Sequence, residues 1–209
     1  MTLIAARCRL LLTGVATVAA TALLAAPAIA APSPAVGGAA CSQTPVVQPF
    51  ASWGDNADYF LAPDGGFEGA AADWALRGHA APIAANEPFA VNAAGDAKAL
   101  RLAAGSSATS PRFCIGVEHR TMRFFSDAAA SSTLDVDAIV GGPGGSERSV
   151  RIATLHGADR WAPSDVVPMV VNELAAAHDN AIDVSLRFTP HGAGAWTIDD
   201  VLVDPLRIR

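Results

Sequence analysis

The sequence lacks the basic patches and catalytic motifs that mark several large classes of protein. It contains no run of lysine and arginine, and its 14 basic residues are outnumbered by 20 acidic ones. This balance argues against nucleic acid or an anionic membrane surface as a partner. Neither a Gly-x-Ser-x-Gly nor a His-Glu-x-x-His motif is present, and the five histidines show no metal-ligand spacing. We therefore expect a protein that is not an enzyme.

Residues 1–30 have the pattern of a secretory signal peptide. Arg7 and Arg9 precede an apolar run that ends in Ala-Ile-Ala. The run is too short and too rich in alanine to favour a membrane span. We predict cleavage after Ala30 and an extracellular location for a mature chain without a membrane span. That chain would keep 12 basic and 20 acidic residues, a net charge of −8.

Cysteine is scarce, and the two that follow the signal peptide are Cys41 and Cys114. An even count in an exported chain predicts one disulfide between them. The alternative, lipidation of Cys41, is disfavoured because Gly38 stands where a lipobox has leucine. Residues 31–44 are predicted to form a flexible leader, and residues 45–209 a single domain.

Short stretches of alternating apolar and polar residues dominate this domain, with glycine-rich turns between them. In residues 133–140, apolar side chains alternate with Asp135 and Asp137, as in a strand with one face on the core. Further strands are predicted at 97–104, 111–118, 121–127, 147–155, 181–188 and 195–203. Residues 169–178 are also compatible with one or two helical turns. One-sided alternation predicts an all-β protein built as an antiparallel β-sandwich.

Two segments carry a resemblance to a known family. Gly-Phe-Glu at 66–68 and Trp74 stand near the start, and Ile-Asp-Asp-Val at 198–201 lies in the last predicted strand. Together they resemble the galactose-binding-like jelly rolls, which include carbohydrate-binding modules of secreted glycoside hydrolases. The resemblance spans residues 45–205 and implies a jelly-roll sandwich whose closing strand pairs beside the opening segment.

The resemblance also implies a structural calcium ion held by Glu68 and Asp200, with Asp199 and backbone carbonyls in support. Such an ion takes about six to eight oxygen ligands and would cancel repulsion between the carboxylates. The alternative is that these acids accept hydrogen bonds from backbone amides or pair with an arginine. Consecutive strand residues point to opposite faces, so Asp199 and Asp200 are not expected to act as an acid–base pair. Alternation places Asp200 inward.

Flat aromatic side chains are the usual platforms for sugar rings, and the chain has four tryptophans and one tyrosine. Trp74 and Trp196 have apolar neighbours and are expected in the core. Trp53, Tyr59 and Trp161 lie in polar or turn-rich stretches and are the candidates for surface contact with a ligand.

Arg123 and Arg151 occupy strand positions that could face outward, where guanidinium groups could donate paired hydrogen bonds to hydroxyl groups. The alternative is a solvated sheet face with ordinary charge pairs. We predict a secreted, monomeric, non-catalytic module that binds a glycan or another cell-envelope ligand. The alternative is a structural or protein-interaction domain without a sugar site. An exposed tryptophan or tyrosine beside a groove favours the first reading, and burial of all five rings favours the second.

Overall fold

Short antiparallel strands dominate the part of the chain that the computed structural model describes, namely Cys41, residues 45–141 and residues 145–206. The predicted signal peptide and most of the predicted leader lie outside these residues. The strands are β1 (Phe60–Leu61), β2 (Ala75–Arg77), β3 (Ala80–Ile83), β4 (Ala99–Leu102), β5 (Ser107–Thr109), β6 (Phe113–Gly116), β7 (Thr121–Ala128), β8 (Thr133–Gly141), β9 (Glu147–His156), β10 (Ala162–Pro163), β11 (Val167–Pro168), β12 (Ala181–His191) and β13 (Trp196–Asp204). Helical turns of 3₁₀ type occur at Ala51–Trp53 and Val170–Ala177. No helix within the described ranges is long and apolar enough to cross a membrane.

The strands form two sheets. The first has the order β10-β7-β13-β4-β3, with β1 beside β13 and β11 beside β7. The second has the order β2-β5-β12-β8-β9, with β6 beside β12. The chain crosses between the sheets repeatedly, as in jelly rolls, instead of completing one sheet before starting the other. The predicted antiparallel sandwich of jelly-roll type is confirmed.

One hydrophobic core lies between the sheets and takes residues from both of them. Phe124 of the first sheet meets Phe188 of the second, with ring centroids 5.4 Å apart. Trp74 and Trp196 are both buried in this core, as their apolar neighbours predict. Their rings are therefore part of the packing that holds the two layers together.

Each of the seven predicted strands is present. Five of them (β7, β8, β9, β12 and β13) have eight or more residues, while β4 and β6 have four each and lie inside longer predicted segments. The additional strands β1, β2, β3, β5, β10 and β11 have two to four residues, which gives a periodic pattern little length in which to emerge. The ambiguous segment near residue 170 forms the longer 3₁₀ helix, which buries Val171, Asn172 and Ala175.

The closing strand is not regular at its acidic pair. Asp199 lies opposite Phe125 and Leu202 opposite Arg123, so β13 has one more residue than β7 between these pairs. Asp200 takes up the extra residue with a φ of 47°. The expectation of strict alternation is therefore wrong here, and both aspartates are buried.

The closing strand also lies beside the opening segment, as the resemblance implies. β1 pairs with β13, with Phe60 opposite Val203. Beyond β1, the backbone N–H of Ala62 donates to the carbonyl of Val201, and the N–H of Val201 donates to the carbonyl of Gly65. The two ends of the domain are thus joined by backbone hydrogen bonds.

The predicted disulfide is present between Cys41 and Cys114, whose Cα atoms are 5.5 Å apart. Cys114 lies in β6, which pairs with β12 in the second sheet. The bond therefore ties the start of the described chain to a central part of the sandwich.

We expect the double variant Cys41→Ala/Cys114→Ala to lose about 4 kcal/mol of unfolding free energy in the chain-entropy description of a long loop. The bond spans 73 residues, so its loss enlarges the conformational freedom of the unfolded chain. Urea unfolding with and without reductant measures the difference. Equal stability of the oxidised, reduced and double-variant proteins would contradict this assignment.

Candidate functional site

A small aromatic cluster covers the outer face of the first sheet. It consists of Phe50, Tyr59, Phe125 and Leu202 and is separate from the main core. Phe125 follows the core residue Phe124 on β7, so the pleat directs the two rings to opposite faces of the sheet. We call these four residues the outer cluster. It forms the base on which more exposed aromatic rings rest.

Two aromatic side chains extend the outer cluster to the protein surface. Trp53 is 39% exposed and Phe89 is 40% exposed. Their ring centroids are 4.8 Å apart and the rings are nearly perpendicular, at 83°. Each ring also lies 5.6 Å from Phe125, measured between centroids. These contacts hold two large, partly exposed rings in fixed orientations.

A groove of about 830 Å³ runs beside these rings, with Trp161 also in its lining. β10 pairs Ala162 with Ser126 of β7, which brings the preceding Trp161 next to Asp127. The complete lining is Trp53, Pro88, Phe89, Asp127, Asp159, Arg160, Trp161, Ala162 and Pro163. The groove thus combines aromatic surface with carboxylates and a guanidinium group.

Arg123 lies beneath this groove and is not part of its lining. Its side chain is buried over the ring of Phe50, with the guanidinium carbon 4.4 Å from the ring centroid. Nε and Nη2 donate to the carbonyl of Ser164 at 3.0 and 2.7 Å, and Nη1 donates to Asp55 at 2.9 Å. Asp55 follows the turn that carries Trp53, and Ser164 follows β10. The prediction that Arg123 binds a ligand is therefore corrected. Its donors instead join the segment that carries Trp53 to the segment that follows β10, and these two segments form the walls of the groove.

Tyr59 is also buried, so the expectation that it lies at the surface is wrong. Its hydroxyl donates to Asp55 at 2.8 Å, and its ring packs edge-on against Phe50 at 4.9 Å. Burial and the neighbouring carboxylate raise the pKa of the Tyr59 hydroxyl, which therefore remains a neutral donor. Trp53 and Trp161 are the members of the original trio that line the groove.

The loop that carries Phe89 is held by one buried carboxylate. Glu87 accepts hydrogen bonds from the backbone N–H groups of Phe89, Ala90 at 3.0 Å and Val91 at 2.8 Å. Its own backbone N–H donates to Asp199 at 3.2 Å. The acidic pair of β13 is thus connected through Glu87 to one wall of the groove.

Asp199 and Asp200 belong to a wider acidic cluster that includes Glu68, Glu87 and Asp96. Burial raises the pKa of Asp199 to about 8, and the adjacent charge of Asp200 adds to the effect. Burial likewise raises the pKa of Asp200 to about 7, with further contributions from the charges of Glu87, Asp96 and Glu68. Simultaneous ionisation of all the carboxyl groups in the cluster is therefore unfavourable.

The surroundings of Asp200 and Glu68 differ. Oδ1 of Asp200 is buried and has no hydrogen-bond partner in the described part of the chain. Gly66 leaves space beside it, since a Cβ there would lie 3.1 Å from this oxygen. Oε1 of Glu68 accepts hydrogen bonds from the N–H groups of Ala97 and Lys98 at 2.7 and 2.8 Å. Amide bonding, the alternative considered for these acids, thus applies to Glu68 and to Asp199, whose oxygens accept from the N–H groups of Glu87 and Asp200, and it leaves Oδ1 of Asp200 unpaired.

Arg151, the remaining ligand candidate, lies on β9 of the second sheet and does not join the groove. It forms ion pairs with Asp135 and Asp137 on the neighbouring strand β8. The aromatic groove and Arg151 therefore belong to different surfaces of the sandwich.

Sequence reasoning missed Phe89, Asp127, Asp159 and Arg160 as groove residues. Asp159 and Arg160 directly precede Trp161, and Phe89 is an aromatic residue in a polar loop, so these three carried a weak local signal. Asp127 carried none, because its place in the groove depends on the pairing of β7 with β10.

No protein-family model and no curated protein matches this sequence. Solved carbohydrate-binding modules are similar to it. A family 61 module in complex with β-1,4-galactotriose has 18% identity and a TM-score of 0.41, over 68% of this chain and 96% of that one. A Clostridium thermocellum xylanase fragment with a family 22 module, complexed with xylohexaose, has 15% identity and a TM-score of 0.47, over 66% of this chain and 27% of that one. A family 22 xylan-binding domain from Paenibacillus barcinonensis has 11% identity and a TM-score of 0.40, over 65% of this chain and 87% of that one. These similarities concern the fold of the sandwich and do not identify a ligand of this chain.

We expect Glu87→Gln to loosen the loop that carries Phe89. An amide has one acceptor oxygen in place of two, so at least one of the three backbone N–H groups loses its partner. A lost hydrogen bond of about 1–2 kcal/mol corresponds to roughly tenfold faster amide exchange at residues 89–91. Hydrogen exchange measured by mass spectrometry reports this change.

Glu147→Gln is the matched control, since it makes the same charge change at an exposed ion pair with Arg112. The control should leave exchange at residues 89–91 unchanged. Equal exchange in this segment for wild type and Glu87→Gln would contradict the role of Glu87.

Proposed function

We propose that this chain is an exported, non-catalytic module that binds a glycan in the groove between Trp53, Phe89 and Trp161. The observation that carries this proposal is the partly exposed Trp53–Phe89 pair, which is fixed beside a groove of about 830 Å³. Ligand sites in proteins commonly have volumes of about 300–1,000 Å³ and combine apolar surface with a few polar groups.

The chemistry of the lining suits a polyhydroxylated ligand. The apolar face of a pyranose ring can pack on an indole or phenyl ring, as apolar surface is removed from water on both sides. Asp127 and Asp159 can accept hydrogen bonds from hydroxyl groups, and Arg160 can donate them. The Arg123 and Glu87 contacts fix the walls before the ligand arrives, which reduces the entropy lost on binding.

The same groove is poorly suited to glycoside hydrolysis. A carboxylic acid that donates a proton near neutral pH needs an environment that excludes water. Asp159 is exposed, and its Oδ1 accepts a hydrogen bond from the backbone N–H of Ala130 at 2.9 Å. We therefore assign Asp159 to hydrogen bonding of the ligand. The disulfide supports the export of the module to an oxidising compartment.

We further propose a structural calcium ion at the acidic cluster, with Asp200 and Glu68 as side-chain ligands and Asp199 in support. The unpaired, buried Oδ1 of Asp200 is the observation that favours a cation. Within residues 41, 45–141 and 145–206, no three acidic, histidine or cysteine side chains converge as a metal site, so Asp199 would support the ion through its charge and not as a third direct ligand. The remaining ligands would be backbone carbonyls and water, which calcium accepts readily.

A glycan array with the disulfide-bonded protein tests the proposed function. We expect at least one polysaccharide ligand, and Trp53→Ala and Trp161→Ala should each weaken its binding by about 2 kcal/mol, roughly thirtyfold. Calorimetric titration with that ligand gives the affinities.

Leu174→Ala is the control, because Leu174 is also exposed but lies on the 3₁₀ helix away from the groove. It should bind like wild type. An array without a ligand would favour the alternative of a structural or protein-interaction domain. Tryptophan variants that bind the array ligand with wild-type affinity would show that this ligand does not bind in the groove.

We expect about 1 mM calcium to raise the melting temperature of wild-type protein and EDTA to reverse the effect. Asp200→Asn should abolish the calcium response, because it removes the charge of the central ligand. In EDTA this variant should be at least as stable as wild type, since it also removes a buried like charge.

The control for calcium is Asp165→Asn, at an exposed position outside the acidic cluster. It should respond to calcium like wild type. If neither calcium nor EDTA changes the melting temperature of the wild-type protein, the proposed calcium site is contradicted.

A further inference from the structure

The outer face of the second sheet carries a second depression, of about 580 Å³, that has no tryptophan, tyrosine or phenylalanine in its lining. Its ionisable side chains come from β12, β8 and β9, which are neighbours in the sheet. In the strand register Asp137 lies opposite Arg151 on one side and opposite Arg187 on the other. The three charged side chains therefore form a row across the strands.

Two buried carboxylates of this face, Asp135 and Asp137, are already engaged. Asp135 accepts hydrogen bonds from the hydroxyl of Thr154 and from Nη1 of Arg151, both at 2.6 Å, and its Oδ2 also lies 2.6 Å from Nε2 of His191. Asp137 accepts from Nε of Arg151 at 2.6 Å and from Nη2 of Arg187 at 3.0 Å. Little acceptor capacity is left for a ligand.

The basic side chains above them remain accessible. The side chains of Arg151, Arg187 and His191 are 49%, 36% and 52% exposed. Arg151 uses Nε and Nη1 in its contacts, and Arg187 uses Nε and Nη2. Among the described residues, Nη2 of Arg151 and Nη1 of Arg187 have no acceptor. The face thus presents guanidinium donors that are held in place by carboxylates beneath them.

The rest of the depression adds polar groups on a compact rim. Ser107 begins β5 and Thr189 lies on β12, whereas the preceding Ser106 is buried and its hydroxyl donates to the carbonyl of Ala103 at 2.6 Å. Gly105 and Gly192 complete the rim with φ values of 76° and 84°, a left-handed conformation that glycine adopts without strain. Small residues at these turns keep the depression open to a ligand of the size of a sugar ring.

The geometry points to a second binding site on this face, for a carboxylate-bearing sugar such as a hexuronic acid residue of an acidic polysaccharide. Planar guanidinium groups match the two oxygens of a carboxylate, and the rim hydroxyls suit the ring hydroxyl groups. The absence of tryptophan, tyrosine and phenylalanine from the lining distinguishes this site from the aromatic groove. The inference does not depend on the glycan proposed for that groove.

Titration of the disulfide-bonded protein with polygalacturonate oligomers tests the inference, and their methyl esters serve as neutral ligands of the same shape. We expect binding of the acid, at least tenfold weaker binding of the ester, and weaker binding of the acid in about 0.5 M salt. No binding of the acid, or equal binding of acid and ester, would overturn the inference. This comparison uses wild-type protein and needs no variant to fold.

Variants locate the site. Arg187→Gln should weaken binding of the acid at least tenfold, while Asp137 keeps Arg151 as a partner. Arg148→Gln removes the same charge from an exposed position of β9 outside the depression and should bind like wild type. Trp53→Ala should also retain acid binding. Loss of acid binding in Trp53→Ala but not in Arg187→Gln would place the ligand in the aromatic groove and overturn the second site.

Discussion

Strand β13 changes its neighbour halfway along its length, and the geometry of the first sheet depends on this change. Its first residues, Trp196–Ile198, pair with β4, and its later residues pair with β1. The bulge at Asp199 and Asp200 lies between the two pairings. Extra twist at a bulge allows one strand to leave a partner and meet another. The position of the acidic pair is therefore a consequence of sheet architecture.

This bulge also organises polar contacts that a regular strand would not provide. Both aspartates are buried, and Asp199 accepts a hydrogen bond from the backbone of Glu87. Glu87 in turn holds the loop of Phe89, while Arg123 holds the segments that carry Trp53 and Trp161. Buried charges thus position exposed aromatic rings. The rigid part of the domain prepares a surface that is made of loops, which is a common division of roles in β-sandwiches.

The long strands could be predicted from sequence because apolar alternation over eight or more residues reflects a physical period. The burial of Trp74 and Trp196 followed from their apolar neighbours, and the disulfide followed from an even cysteine count. Tyr59 and Arg123 could not be placed in this way. Tyr59 was expected at the surface because its sequence neighbours are polar, and Arg123 because its strand position could face outward. In the structure, Asp55 and Ser164, which are distant from Arg123 in sequence, satisfy their polar atoms. The bulge could not be predicted from sequence either, because an extra residue in one strand is recognised only from its pairing with the neighbouring strand.

The contacts of Glu87 also bear on how this surface can change over evolutionary time. The carboxylate binds backbone N–H groups of residues 89–91 and none of their side chains. The backbone path of the loop therefore depends on Glu87, whereas the chemical nature of the exposed surface depends on the side chains of residues 89–91. Substitutions at position 89 can alter the groove while the backbone keeps its anchor. Such a separation lets a lineage of proteins exchange one recognised surface for another without rebuilding the sandwich.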